Sequence, residues 1–278
     1  MRVADKIELK DKSKELFDYL VNNKSQIIKT KCSEPIKSAP LMVDSSLEFF
    51  KKNPTVIKAE GEEAEELDSD SLFARVVANA TMFCDHDMDV LIPGCYDETI
   101  KNDKQFMVQI HDHLHSVVAK VAKVLDVKAE QVSLQDLGIK NMTGSTQVLV
   151  FENRVLKKLN ETVFYLYKYD EANQHSIGLR YIKIELAIDD EDYKQEYSVW
   201  QKYSGGVINQ QKIQQRGYFW AVEEIKVLEN SVVLFGSNEL TPTLEVSDED
   251  KSKEVEVDEK TEDLQNQTKS NWELLRGK

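Results

Sequence analysis

The chain has 278 residues, 41% of them apolar, and carries 36 Lys and Arg against 50 Asp and Glu, a net charge of −14. That length suits one larger domain or two small ones with a real core, and the apolar share excludes a chain disordered throughout. The acidity, without a large basic cluster, excludes nucleic-acid binding through bulk charge, and the longest apolar runs, such as residues 232–235, fall far short of the roughly 20 residues a membrane-spanning helix needs.

The first residues, Met1-Arg2-Val3-Ala4-Asp5-Lys6, turn charged at once, so no export signal is expected. Cys32, Cys84 and Cys95 are scattered and form no CxxC pair, which closes a zinc-ribbon reading and suits free thiols in a reducing compartment. Leu16, Leu20 and Ile27, with Phe17, Val21 and Ile28, recur at three-to-four spacing and predict a helix over 11–30. A short second helix is expected over 45–52, closed by Asn53-Pro54. Residues 1–57, net charge +3, thus read as an N-terminal helical segment. The run 58–70 nets −6; charges so dense repel one another, and it reads as an acidic linker.

From residue 71 the pattern turns to β. Strands are expected over 73–83, 106–110 and 117–127, then a short helix start over 133–137, where Ser133 precedes Asp136 by three. A buried strand follows over 147–151, a helix over 159–169 and a long strand over 176–188. Acidic residues open a helix over 189–203, which Gly205-Gly206 breaks. Strands over 218–227 and 231–235 close an α+β, β-rich domain spanning 71–244, net charge −6. The tail 245–278, net charge −5, keeps no apolar period and reads as disordered and acidic, with a short helix over 271–276. No internal repeat is present.

Three of the five histidines fall in His111-Asp112-His113-Leu114-His115. Residues two apart on a strand face the same way, so these three could line one face as zinc ligands do, with Asp85, Asp87 and Asp89 as further donors. That is a metal-dependent hydrolase reading; the plainer one leaves these histidines exposed in a loop. Ser176, between His175 and Ile177-Gly178, opens a strand and could act as a nucleophile if a base took its proton. Glu229, beside Leu228 and ahead of a buried strand, would be costly unless paired, which makes it a candidate to orient a histidine; a surface Glu is the bland alternative.

Taken in order, Val77-Ala78-Asn79-Ala80, Asp85-x-x-x-Asp89 with Pro93-Gly94, Gln109-Ile110-His111-Asp112-His113, His175-Ser176-Ile177-Gly178 and Glu229-Asn230-Ser231-Val232-Val233 resemble the prohead maturation serine proteases of tailed bacteriophages. The resemblance covers residues 73–244. It implies a small β-barrel with peripheral helices, like the herpesvirus assembly proteases. It further implies His111 as general base, Ser176 as nucleophile and Glu229 as the acid that orients the histidine, with no cofactor and no metal. His113 and His115 compete with His111 for the base, and the spacing to Ala119-Lys120 favours His111. His175, beside Ser176, would point to the opposite face and is read as structural. The implied substrates are scaffold and major capsid protein, and the protease itself, in the host cytoplasm inside the immature shell; nucleic acid and membrane are not among the expected partners, and an oligomer is allowed. The other reading left open is a non-catalytic scaffold or capsid-assembly protein.

Overall fold

In the computed structural model, which describes residues 10–33, 55–57 and 70–248, a mixed β-sheet carries the fold and helices pack against it. The strands are β1 (Thr55–Ile57), β2 (Ser71–Ala80), β3 (Asp89–Leu91), β4 (Val108–His111), β5 (Lys120–Ser133), β6 (Ser145–Leu156), β7 (His175–Ile188), β8 (Tyr218–Val232) and β9 (Thr243–Asp248). The helices are α1 (Lys14–Asn22), α2 (Lys24–Ser33), α3 (Asp97–Asp103), α4 (Glu161–Lys168), α5 (Lys194–Tyr203) and α6 (Gln210–Arg216). The strand order is β1-β9-β2-β6-β5-β4-β8-β3, with β7 paired to β8. The expected closed barrel is therefore not what forms. The sheet curls, because Ala74, Val76 and Ala78 of β2 share one core with Ile177, Leu179 and Tyr181 of β7, but among the described residues no ladder joins these two strands. Among the described residues, no helix is long and apolar enough to cross a membrane.

β8 organises the region of interest. It pairs along its whole length with β7, antiparallel, and its other edge takes β3 near the start and β4 near the end, both parallel. The two strands expected over 218–227 and 231–235 are thus one. Alternate residues of β2 and β6 feed two cores: Leu72, Ala74, Val76, Leu149 and Phe151 pack on one face, and Val77, Ala80, Val148 and Val150 with Leu240 and Leu244 on the other. This period of two is the pleat itself.

Several elements depart from expectation for local reasons. The predicted helix over 11–30 is two helices, α1 capped by the Ser13 hydroxyl on the Leu16 N–H and ended at Asn23. Leu16, Phe17, Leu20 and Ile27 join the main core, and Phe17 meets Tyr193 edge to face, so this segment packs as part of the same unit as the sheet. Ser133 and Asp136 do form the capping contact, but Leu137 and Gly138 close it as a turn and no helix continues. Residues 245–248 belong to β9, between β1 and β2, and not to a disordered tail: Leu244 and Val246 are buried while Glu245 and Ser247 alternate with them. The helices expected over 45–52 and 271–276, the linker up to residue 69 and the tail from 249 lie outside the described residues.

One buried ionic cluster ties α2 to the sheet. Lys31 Nζ lies 2.6 Å from Asp89 Oδ1, whose carboxylate is fully buried and also accepts the Tyr181 hydroxyl. The Lys31 ammonium sits over the Tyr181 and Trp220 rings, and Asp85 Oδ1 accepts the Asp87 and Asp89 N–H groups. Removing one partner leaves the other charge desolvated and uncompensated, at about 3–5 kcal/mol. Lys31→Met is expected to lower the unfolding free energy by that amount in urea titration; a change of less than about 1 kcal/mol would show that the pair carries no stability.

Candidate active site

The site is built on the last four residues of β8. Glu229, Asn230, Ser231 and Val232 lie opposite Gly178, Ile177, Ser176 and His175 of β7, and beside Val108, Gln109, Ile110 and His111 of β4. Residues directly across a ladder share a face, so Ser176, Gly178, Glu229 and Ser231 face one way. Gln109 and Asn230 face the other, and a 2.8 Å side-chain hydrogen bond joins them. His111, level with Val232, belongs to that second face. It does not meet Glu229; its Nδ1 lies 3.0 Å from the neighbouring Asp112 carboxylate.

The histidine that Glu229 holds is His113. β4 ends at His111, and Asp112 and His113 each adopt a left-handed backbone, φ 51°. Two non-glycine residues in that region cost about 1–3 kcal/mol each and persist only where the surroundings fix them. Here Val232 C=O accepts the Asp112 N–H at 3.0 Å, and the Ser231 hydroxyl accepts the His113 N–H at 2.8 Å. The turn swings the His113 ring onto the Glu229 face, where Nδ1 lies 2.6 Å from Glu229 Oε1. Both side chains are buried, His113 at 8% and Glu229 at 2% exposure. A carboxylate can only accept, so Nδ1 donates and Nε2 is left as the acceptor nitrogen. His115, half exposed, lies 3.9 Å from the same oxygen. The strand-face argument for three aligned histidines fails because β4 stops at the first of them. Among the described residues, no three His, Cys, Asp or Glu side chains gather as metal ligands would.

Glu229 reaches His113 by passing over Gly178. A Cβ at position 178 would stand 2.4 Å from Glu229 Oε1 and 2.9 Å from its Cδ, so only glycine leaves room. The other carboxylate oxygen, Oε2, is buried and has no hydrogen-bond partner among the described residues. Ser176, on the same face, lies directly across the ladder from the Ser231 that anchors His113.

Beneath the site runs a buried polar chain. His175 Nδ1 donates to Thr241 C=O at 3.0 Å, and its Nε2 accepts the Tyr167 hydroxyl at 3.0 Å. Gln109 Nε2 reaches the Tyr167 oxygen, and Gln109 Oε1 accepts from Asn230 and Asn153. This agrees with the structural role expected for His175. Burial lowers its pKa to about 4, from an ordinary value near 6.5. Between those values the unfolded chain binds a proton that the folded chain refuses, so stability is full above about pH 6.5 and falls as the pH drops toward 4. The shift corresponds to about 3 kcal/mol. Urea titrations at pH 7 and pH 4.5 are expected to show this loss, and His175→Gln to flatten it; an equal slope in both proteins would exclude His175 as its source.

The resemblance implies His111 as the base, and the structure brings His113 to Glu229 instead. Ser231 and Gly178 carry no role in the sequence pattern, and their contacts with His113 and Glu229 supply one. Comparison of the chain with family models, with curated proteins and with solved structures finds no match.

Proposed function

We propose that the chain is a serine endopeptidase of the prohead-maturation type, with Ser176 as nucleophile, His113 as general base and Glu229 as the acid that orients the base. The observation that carries the reading is the 2.6 Å contact from His113 Nδ1 to a buried Glu229, on the sheet face that also bears Ser176. An imidazole held this way presents Nε2 to a hydroxyl in the neutral tautomer that general-base catalysis needs. Ser176 Oγ would bond to the peptide carbonyl carbon as its proton passes to His113 Nε2 and the carbonyl π pair moves to oxygen. Collapse reforms C=O, breaks C–N and returns the proton to the departing amine; water then releases the acyl group by the same steps. Glu229 stabilises the imidazolium as it forms.

A polypeptide substrate suits the rim. Leu114, Val117 and Val118, in the loop that carries His113, and Leu234 and Phe235, just past β8, are all exposed. Apolar side chains grouped beside a site mark a surface that binds another chain. The substrates proposed are the scaffold-bearing capsid protein and the enzyme's own chain, inside the immature shell in the host cytoplasm. The test is covalent labelling: a fluorophosphonate is expected to modify Ser176 in one-to-one ratio, read by mass spectrometry. A protein left unlabelled at Ser176, or equally labelled in Ser176→Ala, would remove the nucleophile and the proposal with it.

A further inference from the structure

β4 carries the turn that brings His113 to Glu229, yet its backbone is lightly held. It is four residues long and meets β8 in the parallel arrangement, the weaker ladder per residue. On its other side it pairs with β5 at Gln109 and Ile110 alone, with an irregularity between the two. A strand held this way can slip, and a slip of one residue turns every side chain to the opposite face.

The apolar pattern of β4 favours that slip. Its sequence is Val108-Gln109-Ile110-His111, so Val108 and Ile110 are the side chains that would be expected to face a core. Instead Gln109, wholly buried, stands level with Asn230, whose β7 neighbour Ile177 belongs to the main core. Apolar burial therefore does not set the observed register. An amide contact does: Gln109 Oε1 accepts Asn230 Nδ2 at 2.8 Å directly across the ladder, and Asn153 Nδ2 of β6 approaches the same oxygen at 3.3 Å. In a slipped strand Gln109 would leave this face, and two buried amides would lose their acceptor. Nor does the cluster add much to stability against unfolding. Asn153 Oδ1 and Asn230 Oδ1 are buried with no partner among the described residues, which offsets what the hydrogen bonds gain. Fixing register is the best-attested use of such a buried polar group.

We infer that Gln109 and Asn230 form a register lock for β4, a positioning pair that sets His113 against Glu229 from the reverse face of the sheet. Its part in catalysis rests on the serine-peptidase reading proposed above. With Gln109 level with Asn230, Val232 C=O and the Ser231 hydroxyl accept the Asp112 and His113 N–H groups, and the imidazole turns onto the Glu229 face. One residue out of step, the same acceptors meet other residues and Glu229 loses its ring partner. Neither amide touches the reacting atoms; both act through the placement of the base.

The test uses the full chain and three readouts: the far-downfield proton resonance of a histidine bonded to a carboxylate, p-nitrophenyl acetate turnover and the urea midpoint. Gln109→Leu, Asn153→Leu and Asn230→Leu are made together, because replacing all partners of a buried hydrogen bond by apolar groups leaves stability nearly unchanged. The triple variant is expected to keep its urea midpoint, lose the resonance and lose about 10²–10⁴-fold in kcat. The exchanged pair, Gln109→Asn with Asn230→Gln, restores an amide contact across the ladder and is expected to keep the resonance and to turn over within about tenfold of wild type. A triple variant with wild-type resonance and turnover overturns the lock. So does one whose urea midpoint collapses, since the amides would then serve stability, and so does a folded exchanged pair that lacks the resonance. A wild type without the resonance removes the His113–Glu229 bond and this inference with it. A wild type that shows the resonance but is not labelled at Ser176 by fluorophosphonate overturns the peptidase reading and leaves the lock standing as a feature of the fold.

Discussion

His113→Gln is expected to lower kcat/KM by about 10⁴–10⁶-fold, the scale on which removing a catalytic base collapses a Ser-His mechanism. His111→Gln is expected to leave it within a few-fold of wild type. The two residues are separated by one position in sequence but by a face of the sheet in space. His111 stands level with Val232, on the side of Gln109 and Asn230, whereas His113 has turned through two left-handed residues to reach Glu229. Glutamine at 113 keeps the backbone N–H that the Ser231 hydroxyl accepts, so the turn retains its anchor while the base is lost. Processing of co-expressed scaffold-bearing capsid protein, with urea unfolding as a control for the fold, reads the result. Should His111→Gln abolish processing and His113→Gln spare it, the base lies on the other face and the triad is misassigned.

How far the residues alone reach is clearest around this site. The long strand β7, the buried run of β6 and the helix α4 form over or around the stretches 176–188, 147–151 and 159–169 expected for them, and the Asn160 side chain caps α4. The pairing of a histidine with Glu229 was also within reach, because a Glu ahead of a buried strand needs a partner. Which histidine it takes was not. Nothing in Gln109-Ile110-His111-Asp112-His113 announces that β4 stops at His111, since the stop is imposed by Val232 and Ser231 from a strand more than a hundred residues later. The short strands β3 and β9 escaped for the same reason. Three or six residues carry little period, and the ladders with β8, β2 and β1 supply the rest. Closure of the sheet depends on β2 and β7 completing a ladder, a property of the assembled sheet that no local pattern encodes.

Gly178→Ala is expected to cost activity nearly as much as removing the Glu229 carboxylate outright, although it adds a single methyl group. The added Cβ would stand 2.4 Å from Glu229 Oε1 and 3.0 Å from its Cγ, a separation that real Cβ atoms do not tolerate. Glu229 is 2% exposed, with His113 on one side and the sheet beneath, so it cannot swing into solvent without giving up its ring partner. Its displacement frees the His113 imidazole to rotate or to take the wrong tautomer, and the loss is expected at about 10²–10⁴-fold in kcat. Glu229→Gln should fall in the same range, and the double variant should be little worse than either single one, because both substitutions break the same contact. Ser176 labelling by fluorophosphonate should slow in parallel. Additive losses would mean that the glycine serves the backbone of β7 and not the carboxylate. Wild-type turnover in Gly178→Ala would show that Glu229 can hold His113 from another rotamer, and the close approach over Gly178 would then carry no catalytic consequence.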